Sequence, residues 1–309
     1  MPVIFEHHIK FNNTKGNDLN TAFSFLCKSI ENTGNRLTKA QIKQAINKGA
    51  LWLTRGKHTQ RLRRIKKPLQ INDELHLYYN EAILSREVPE ATLISDEGSY
   101  SVWYKPFGML SQGSKWSDHC TITRFAQQNL IPERPVFIVH RLDKAATGLI
   151  LIAHTKKTAQ ALSAMFEQRS KSEHLRDKVM LDHSLEKHYQ IIVHGDHRVF
   201  DQPQIISSDV DGKKARSTFS CLEYNQTNNE SLVSVKIDSG RKHQIRIHAA
   251  SIGLPVVGDR LHGIADNSEA RNLQLCAVSL DFICPLSLND TPIVKKHFEL
   301  TDALKPQLL

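Results

Sequence analysis

The feature that most constrains this chain is residues 135–153, PVFIVHRLDKAATGLILIA. Two apolar runs, 136–139 and 149–153, flank a polar loop carrying His140, Arg141, Asp143 and Lys144. Short runs of aliphatic and β-branched residues read as buried strands, and Gly148 restarts the second. Thr155 can cap a following helix with Ala159, Leu162, Met165 and Phe166 on its apolar side. Asp143 is thus expected between rigid elements, the placement that demanding chemistry needs. From these residues alone, an ion pair at a strand end is the simpler alternative.

Charge divides the chain. Residues 1–88 hold 15 Lys/Arg against 7 Asp/Glu, and the remaining residues hold 26 against 25, so +8 of the net +9 lies in the first part. A basic module beside a near-neutral body suggests attachment to a polyanion; the alternative is a solvated basic surface. Within it, residues 18–31 carry a helical stripe of Leu19, Ala22, Phe23, Leu26, Cys27 and Ile30. Thr38 and Gln41 form a capping box for a second helix with Ile42, Ala45 and Ile46 on its apolar face, and Gly49 suits its C′ position. Strands are expected at 50–54 and 75–79, after an Asn72-Asp73 turn. Between them runs a basic stretch of Arg55, Lys57, Arg61, Arg63, Arg64, Lys66 and Lys67. Two helices, a strand and a basic loop over residues 17–80 resemble the alpha-L RNA-binding module, which implies RNA contacts by Arg61, Arg63, Arg64, Lys66 and Lys67. Residues 89–97, polar with a proline, read as a linker to a domain at 98–309.

Five cysteines, none in a C-x-x-C pair, fit neither a disulfide framework nor a zinc cluster and suggest reduced thiols in the cytoplasm. No signal peptide is expected at the start, and the apolar runs are too short to span a bilayer.

Four segments carry a second, specific resemblance. Val139-His140-Arg141-Leu142-Asp143 followed by Ala145-Ala146-Thr147-Gly148-Leu149 is similar to the signature loop of the RluA-type pseudouridine synthases. Trp103-Tyr104-Lys105-Pro106-Phe107-Gly108-Met109, the strand 187–195, and 240–248 running on to Gly258-Asp259 resemble the family's other motifs in the same order. The resemblance covers about residues 98–285. Tyr104 stands where the family has Asn, Ala146-Thr147 where it has Thr-Ser, and His262 where it usually has Tyr.

The resemblance implies an enzyme that isomerises uridine to pseudouridine in ribosomal or transfer RNA. The N1–C1′ bond breaks, the base turns and rejoins through C5, and the sugar gains positive character as in glycosidases. It assigns the catalytic carboxylate to Asp143, base stacking and C5 proton acceptance to Tyr189, and pairing with Asp143 to Arg246, with Arg241 as second candidate. Arg141 would fill the gap left by a flipped-out uridine; Lys105 and Arg241 join it among the substrate-binding residues. An isomerisation needs no metal and no organic cofactor. The expected fold is α+β: a mixed, mostly antiparallel sheet with flanking helices, plus the small basic module, in a monomer with no membrane partner. A non-catalytic RNA-binding or ribosome-assembly protein keeping this fold is the alternative; a nucleoside hydrolase is a further one.

Overall fold

In the computed structural model, residues 2–12, 21–34, 37–64, 66–171, 185–263, 270–286 and 294–309 are described. The chain divides into two units, Met1–Val88 with Gln112–Phe125, and Pro89–Ser111 with Ala126–Leu309.

The first unit is built on an antiparallel sheet in the order β1 (Ile4–Lys10), β4 (Glu74–Asn80), β2 (Leu51–Arg55), β3 (His58–Leu62). Strand alternation sends Leu51, Leu53, Leu75 and Leu77 to one side. There they are buried with Leu26 and Ile30 of α1 (Ala22–Glu31) and Ile42 and Ile46 of α2 (Lys39–Asn47). The expected capping box starts α2: Gln41 N–H donates to Thr38 Oγ1 (3.2 Å), and Thr38 N–H to Gln41 Oε1 (2.9 Å). Of the expected first helix, α1 starts at Ala22, with Thr21 accepting from Ser24 N–H. Asp18 and Leu19 lie outside the described residues. A short helix, α3 (Glu81–Leu84), follows β4.

Two boundaries differ from expectation. Residues 112–125, assigned by sequence to the larger domain, belong with the first unit. They are tied there by Asp118, which pairs with Arg61 and Arg63, and by Lys115, whose carbonyl accepts from Trp52 Nε1 (2.9 Å). Residues 89–97, expected as a linker, contain β5 (Thr92–Asp96), an edge strand of the large sheet. Its polar ends and Pro89 mask a short apolar pair, exposed Leu93 and half-buried Ile94, and Arg134 clasps Asp96.

The second unit is α+β, with a mixed, mostly antiparallel sheet. Among the described residues the sheet has ten strands. Its path runs β10 (Gln204–Val210), β11 (Lys213–Asn225), β12 (Glu230–Ile237), β9 (Glu186–His194), β13 (Leu275–Ile283), β8 (Thr147–Ala153), β6 (Tyr100–Lys105), β5. β14 (Lys295–Glu299) pairs with β13, and β7 (Phe137–Ile138) with β8. All pairs are antiparallel except β13 with β8. Strand β8 is buried from Gly148 onward, which explains its unbroken apolar run. Leu149, Leu151, Val278, Leu280 and Phe282 share a core with Tyr100, Val102 and Leu162. Helix α4 (Ile122–Asn129) precedes β7; α5 (Lys156–Lys171) starts at the expected Thr155, whose hydroxyl accepts from Thr158 N–H (3.1 Å); α6 is Gln244–Ser251.

β7 is shorter than the sequence suggests. Its ladder covers Phe137 and Ile138, and then the His140 ring, not a carbonyl, takes the Leu151 N–H at Nε2 (3.0 Å). The chain therefore leaves the sheet at His140 and enters the Asp143 loop.

Candidate active site

Residues 140–147 form a tight excursion between β7 and β8, closed by a hydrogen bond from Ala146 N–H to Asp143 O (3.2 Å). Half-buried His140 is stacked on Phe166 (4.3 Å between centroids); burial of its ring and the nearby Lys187 ammonium hold its pKa well below the usual histidine value. A neutral ring that accepts at Nε2 is thus built into the start of the loop.

A second segment fastens the loop. Ser111 Oγ donates to Leu142 O (2.7 Å) and accepts from Leu142 N–H (3.0 Å); Gly108 N–H donates to Lys144 O (2.9 Å). Lys105, expected among the substrate-binding residues, is fully enclosed. Its ammonium donates to Met109 O (2.9 Å) and Pro106 O (3.0 Å) and reaches Lys144 O (3.5 Å). Burial pushes its pKa down to about 7, against the pull of the Asp143 charge. Lys105 therefore holds the loop and offers no surface to RNA. Its motif spacing could not reveal this, because a lysine is normally exposed.

Arg246, on α6, is buried. Its Nε donates to Asp259 Oδ2 (2.7 Å) and its Nη2 to Asp259 Oδ1, a two-pronged pair. Its third nitrogen, Nη1, stands 3.9 Å from Asp143 Oδ2. Asp259 Oδ1 also accepts from the backbone N–H of Leu261 (2.9 Å) and His262 (3.0 Å). Burial would raise the Asp259 carboxyl, but the Arg246 bonds and these two N–H groups outweigh it and hold it below the usual value. The expected Arg246–Asp143 approach is present, with Asp259 as anchor. Arg241, the second candidate, instead donates Nε to Lys214 O (3.2 Å).

His243 completes the group. It caps α6 with φ +57°, a left-handed conformation uncommon in residues other than glycine, and its side chain makes no capping bond. Its Nε2 faces Asp143 Oδ2 at 3.6 Å, and its Nδ1 meets His262 Nε2 at 3.0 Å. The preceding turn is fixed by buried Gln244, whose Oε1 accepts from Ser239 Oγ (2.8 Å) and Arg241 N–H (3.1 Å).

Tyr189 is placed by register. Lys105, Gly148, Ala277 and Tyr189 stand side by side across β6, β8, β13 and β9. Side chains in one such row share a face, so Tyr189 lies on the face from which Lys105 reaches the Asp143 loop. Between them stand only glycine and alanine. Gly148 (φ +111°) is required: a Cβ would lie 2.3 Å from Ala277 O and 2.4 Å from Ala277 N. Arg141 is exposed. Asp143, Arg246, His243 and the ties to Lys105 thus converge. Sequence reasoning missed Ser111, Asp259 and Gln244 as supports and left His243 and His262 without roles. Polar residues inside apolar motifs were the available signal. Among the described residues no three His, Cys, Asp or Glu side chains gather as metal ligands, and no helix is long and apolar enough to cross a membrane.

In the first unit the basic run divides. Arg61 Nη1 donates to Gly49 O and Nη2 to Ser114 O (2.5 Å), and its guanidinium lies 4.3 Å from the Trp52 ring centre. Arg63 pairs with Asp118. Arg61 and Arg63, expected to contact RNA, are committed within the unit, whereas Arg64 and Lys66 are exposed and Lys67 is half-buried.

A carboxylate on a clamped turn, between an anchored arginine and a histidine, is an arrangement that can act on a developing positive charge. Residues 99–251 match the RNA pseudouridylate synthase family. The chain is 30% identical over 220 residues to tRNA pseudouridine synthase C of Haemophilus ducreyi, covering 61% of this chain and 84% of that one. It is 35% identical over 154 residues to an uncharacterized RNA pseudouridine synthase of Aquifex aeolicus, covering 46% and 44%. The solved structure of human RNA pseudouridylate synthase domain containing 1 shares the fold, with TM-score 0.53 and 19% identity over 70% of this chain and 85% of that one. The chain belongs to the RNA pseudouridylate synthase family. It spans less than half the length of several curated relatives that it matches.

Proposed function

We propose that this chain isomerises uridine to pseudouridine in structured RNA, ribosomal or transfer, with Asp143 as the carboxylate that acts at the sugar. The observation that carries the reading is the convergence of Arg246 and His243 on Asp143 Oδ2, 3.9 and 3.6 Å away. A carboxylate so placed meets the positive character that C1′ gains as the N1–C1′ bond breaks. The base is retained, turns, and forms the C5–C1′ bond; C5 gives up its proton and N1 takes one, so atoms balance without a cofactor. Tyr189 offers a ring face to the base and an oxygen to the C5 proton. Exposed Arg141 takes the place of the flipped-out uridine in the RNA stack. Transfer RNA is favoured as substrate by the name of the Haemophilus relative. The first unit serves as an alpha-L-like attachment module, supported by helices α1 and α2, its sheet and the exposed Arg64 and Lys66. Five free thiols agree with a cytoplasmic setting.

The test is tritium release from RNA labelled at C5 of uridine. Wild type should release tritium, and Asp143→Asn, which keeps size and loses charge, should release none while still binding the RNA. Substantial turnover by that variant removes Asp143 from its role. Binding without turnover by wild type would favour the non-catalytic alternative.

A further inference from the structure

His262 stands in the loop after Asp259 and has no part in the scheme above. Its ring meets His243 with centroids 5.1 Å apart at 68°, and its Nε2 lies 3.0 Å from His243 Nδ1. Two ring nitrogens at that distance must share one proton: one donates and the other accepts. His243 turns its other nitrogen, Nε2, toward Asp143 Oδ2. A carboxylate attracts an N–H and repels a lone pair, so the proton of neutral His243 sits on Nε2. Its Nδ1 is then the acceptor, and His262 donates.

We propose that His262 is a positioning residue of the Asp143 site: it fixes His243 in the tautomer that presents N–H to Asp143, and releases it when both imidazoles are protonated. The inference rests on the reading of Asp143 as the reacting carboxylate. Three independent features hold the chain of contacts. The left-handed backbone at His243 aims its ring without a capping bond. The backbone N–H of His262 is fastened to Asp259 Oδ1 at 3.0 Å. That same carboxylate holds Arg246, so one anchor orients both cationic-side partners of Asp143.

The pH logic follows from the contact. One extra proton on the pair leaves a donor facing an acceptor. A second leaves two N–H groups facing each other, and the contact opens. Asp143, Arg246, His262 and Lys242 are the charged or titratable groups acting on His243. Burial lowers its pKa first, Asp143 opposes this, and Arg246, His262 and Lys242 add to the lowering. His243 meets the His262 ring at Nε2, and Asp259 accepts from the His262 backbone N–H. A tyrosine at 262 would offer a hydroxyl that donates to neutral His243 or accepts from its protonated form, and it does not gain a proton in this range.

The experiment has two arms on the full chain. The first is heteronuclear NMR of the histidine rings from about pH 5 to pH 8, the range in which imidazoles change charge. Asp143→Asn and His262→Phe should each move the titration of His243, by about one pH unit. The second is the single-turnover rate against pH. His262→Phe should be several-fold slower throughout, and His262→Tyr should carry its acid limb to lower pH by about one unit relative to wild type. A His243 titration that ignores both substitutions overturns the proposal, as do superimposable acid limbs in wild type and His262→Tyr. If the titrations respond but wild type turns over no RNA, the functional reading fails and the pairing stands; the NMR spectra report folding of every variant.

Discussion

Arg246 gives its two-pronged hydrogen bonding to Asp259, at 2.7 Å from Nε to Oδ2, and only its remaining nitrogen to Asp143, at 3.9 Å. The arginine is therefore held rigid by one carboxylate so that it can face another. A flexible arginine would collapse onto Asp143 as a full ion pair and quench the charge that chemistry needs. The arrangement is electrostatic preorganisation by a supporting residue.

Asp259→Asn tests that support. Breaking a buried pair leaves the guanidinium to half-buried Asp143 alone, so stability should fall by up to about 3–5 kcal/mol. The turnover rate should fall with it, while exposed Arg141 still meets RNA. The folded-state pKa of Asp259 is depressed, so its stabilising contribution is present above the unfolded value of about 4 and lost as pH falls through the folded one. Chemical denaturation at neutral and acid pH should show a steeper acid loss in wild type than in Asp259→Asn. Parallel curves would mean that Asp259 does not carry this dependence.

Gly148→Ala should damage the sheet itself. The new Cβ would meet backbone atoms of Ala277 at 2.3 and 2.4 Å, in a row that cannot part without breaking β8 from β13. With a positive φ added, destabilisation should reach about 3 kcal/mol or more. An unfolding midpoint close to wild type would show that the two strands have slack.

How much of this was legible beforehand depended on the kind of signal. The Asp143 loop, helix α6 and the capping box of α2 follow local periodicity and punctuation, and they lie where the sequence puts them. The fold class was readable through the resemblance carried by the four motif segments. What stayed hidden depends on the partner. Asp259 looks like loop punctuation until Arg246 comes within 2.7 Å. Lys105 looks like a substrate lysine until three carbonyls close around it. Residues 89–97 were misassigned because proline and charge mask a short strand, although its partner β6 follows at once, and residues 112–125 because their ties to Trp52, Arg61 and Arg63 are long-range.

Lys105→Met keeps the stem and removes the ammonium. Met109 O and Pro106 O lose their donor, and Lys144 O keeps only Gly108 N–H. The unsatisfied carbonyls should cost about 1–3 kcal/mol of stability. The larger effect should be on chemistry, because a loop loosened by about 1 Å can slow a reaction roughly 100-fold. RNA affinity should hold, since the side chain is enclosed. A comparison of single-turnover rate with filter-binding affinity separates the two roles. Weakened binding with an intact rate would restore Lys105 to the substrate-binding group.

The basic run of the first unit separates by function in the same way. Arg61 and Arg63 are committed to Asp118, Gly49 and Ser114, so their charge is already answered. Arg61→Ala should therefore lower the melting temperature, by leaving Gly49 O and Ser114 O without this donor, Asp118 with Arg63 alone, and the Trp52 face uncovered. Arg64 and Lys66 are exposed and available to phosphate. Removing one cation from a phosphate reduces the slope of log affinity against log salt by about 0.7–0.9. The double variant Arg64→Ala with Lys66→Ala should thus flatten that slope by about 1–2 and raise the apparent KM. On the proposed reading these two side chains position the RNA without touching the reacting base, so the rate at saturating RNA should survive. Filter binding across a salt series, paired with single turnover at saturating RNA, makes the comparison. A slope equal to that of wild type would mark Arg64 and Lys66 as solvated charge and leave RNA attachment to other residues of the chain.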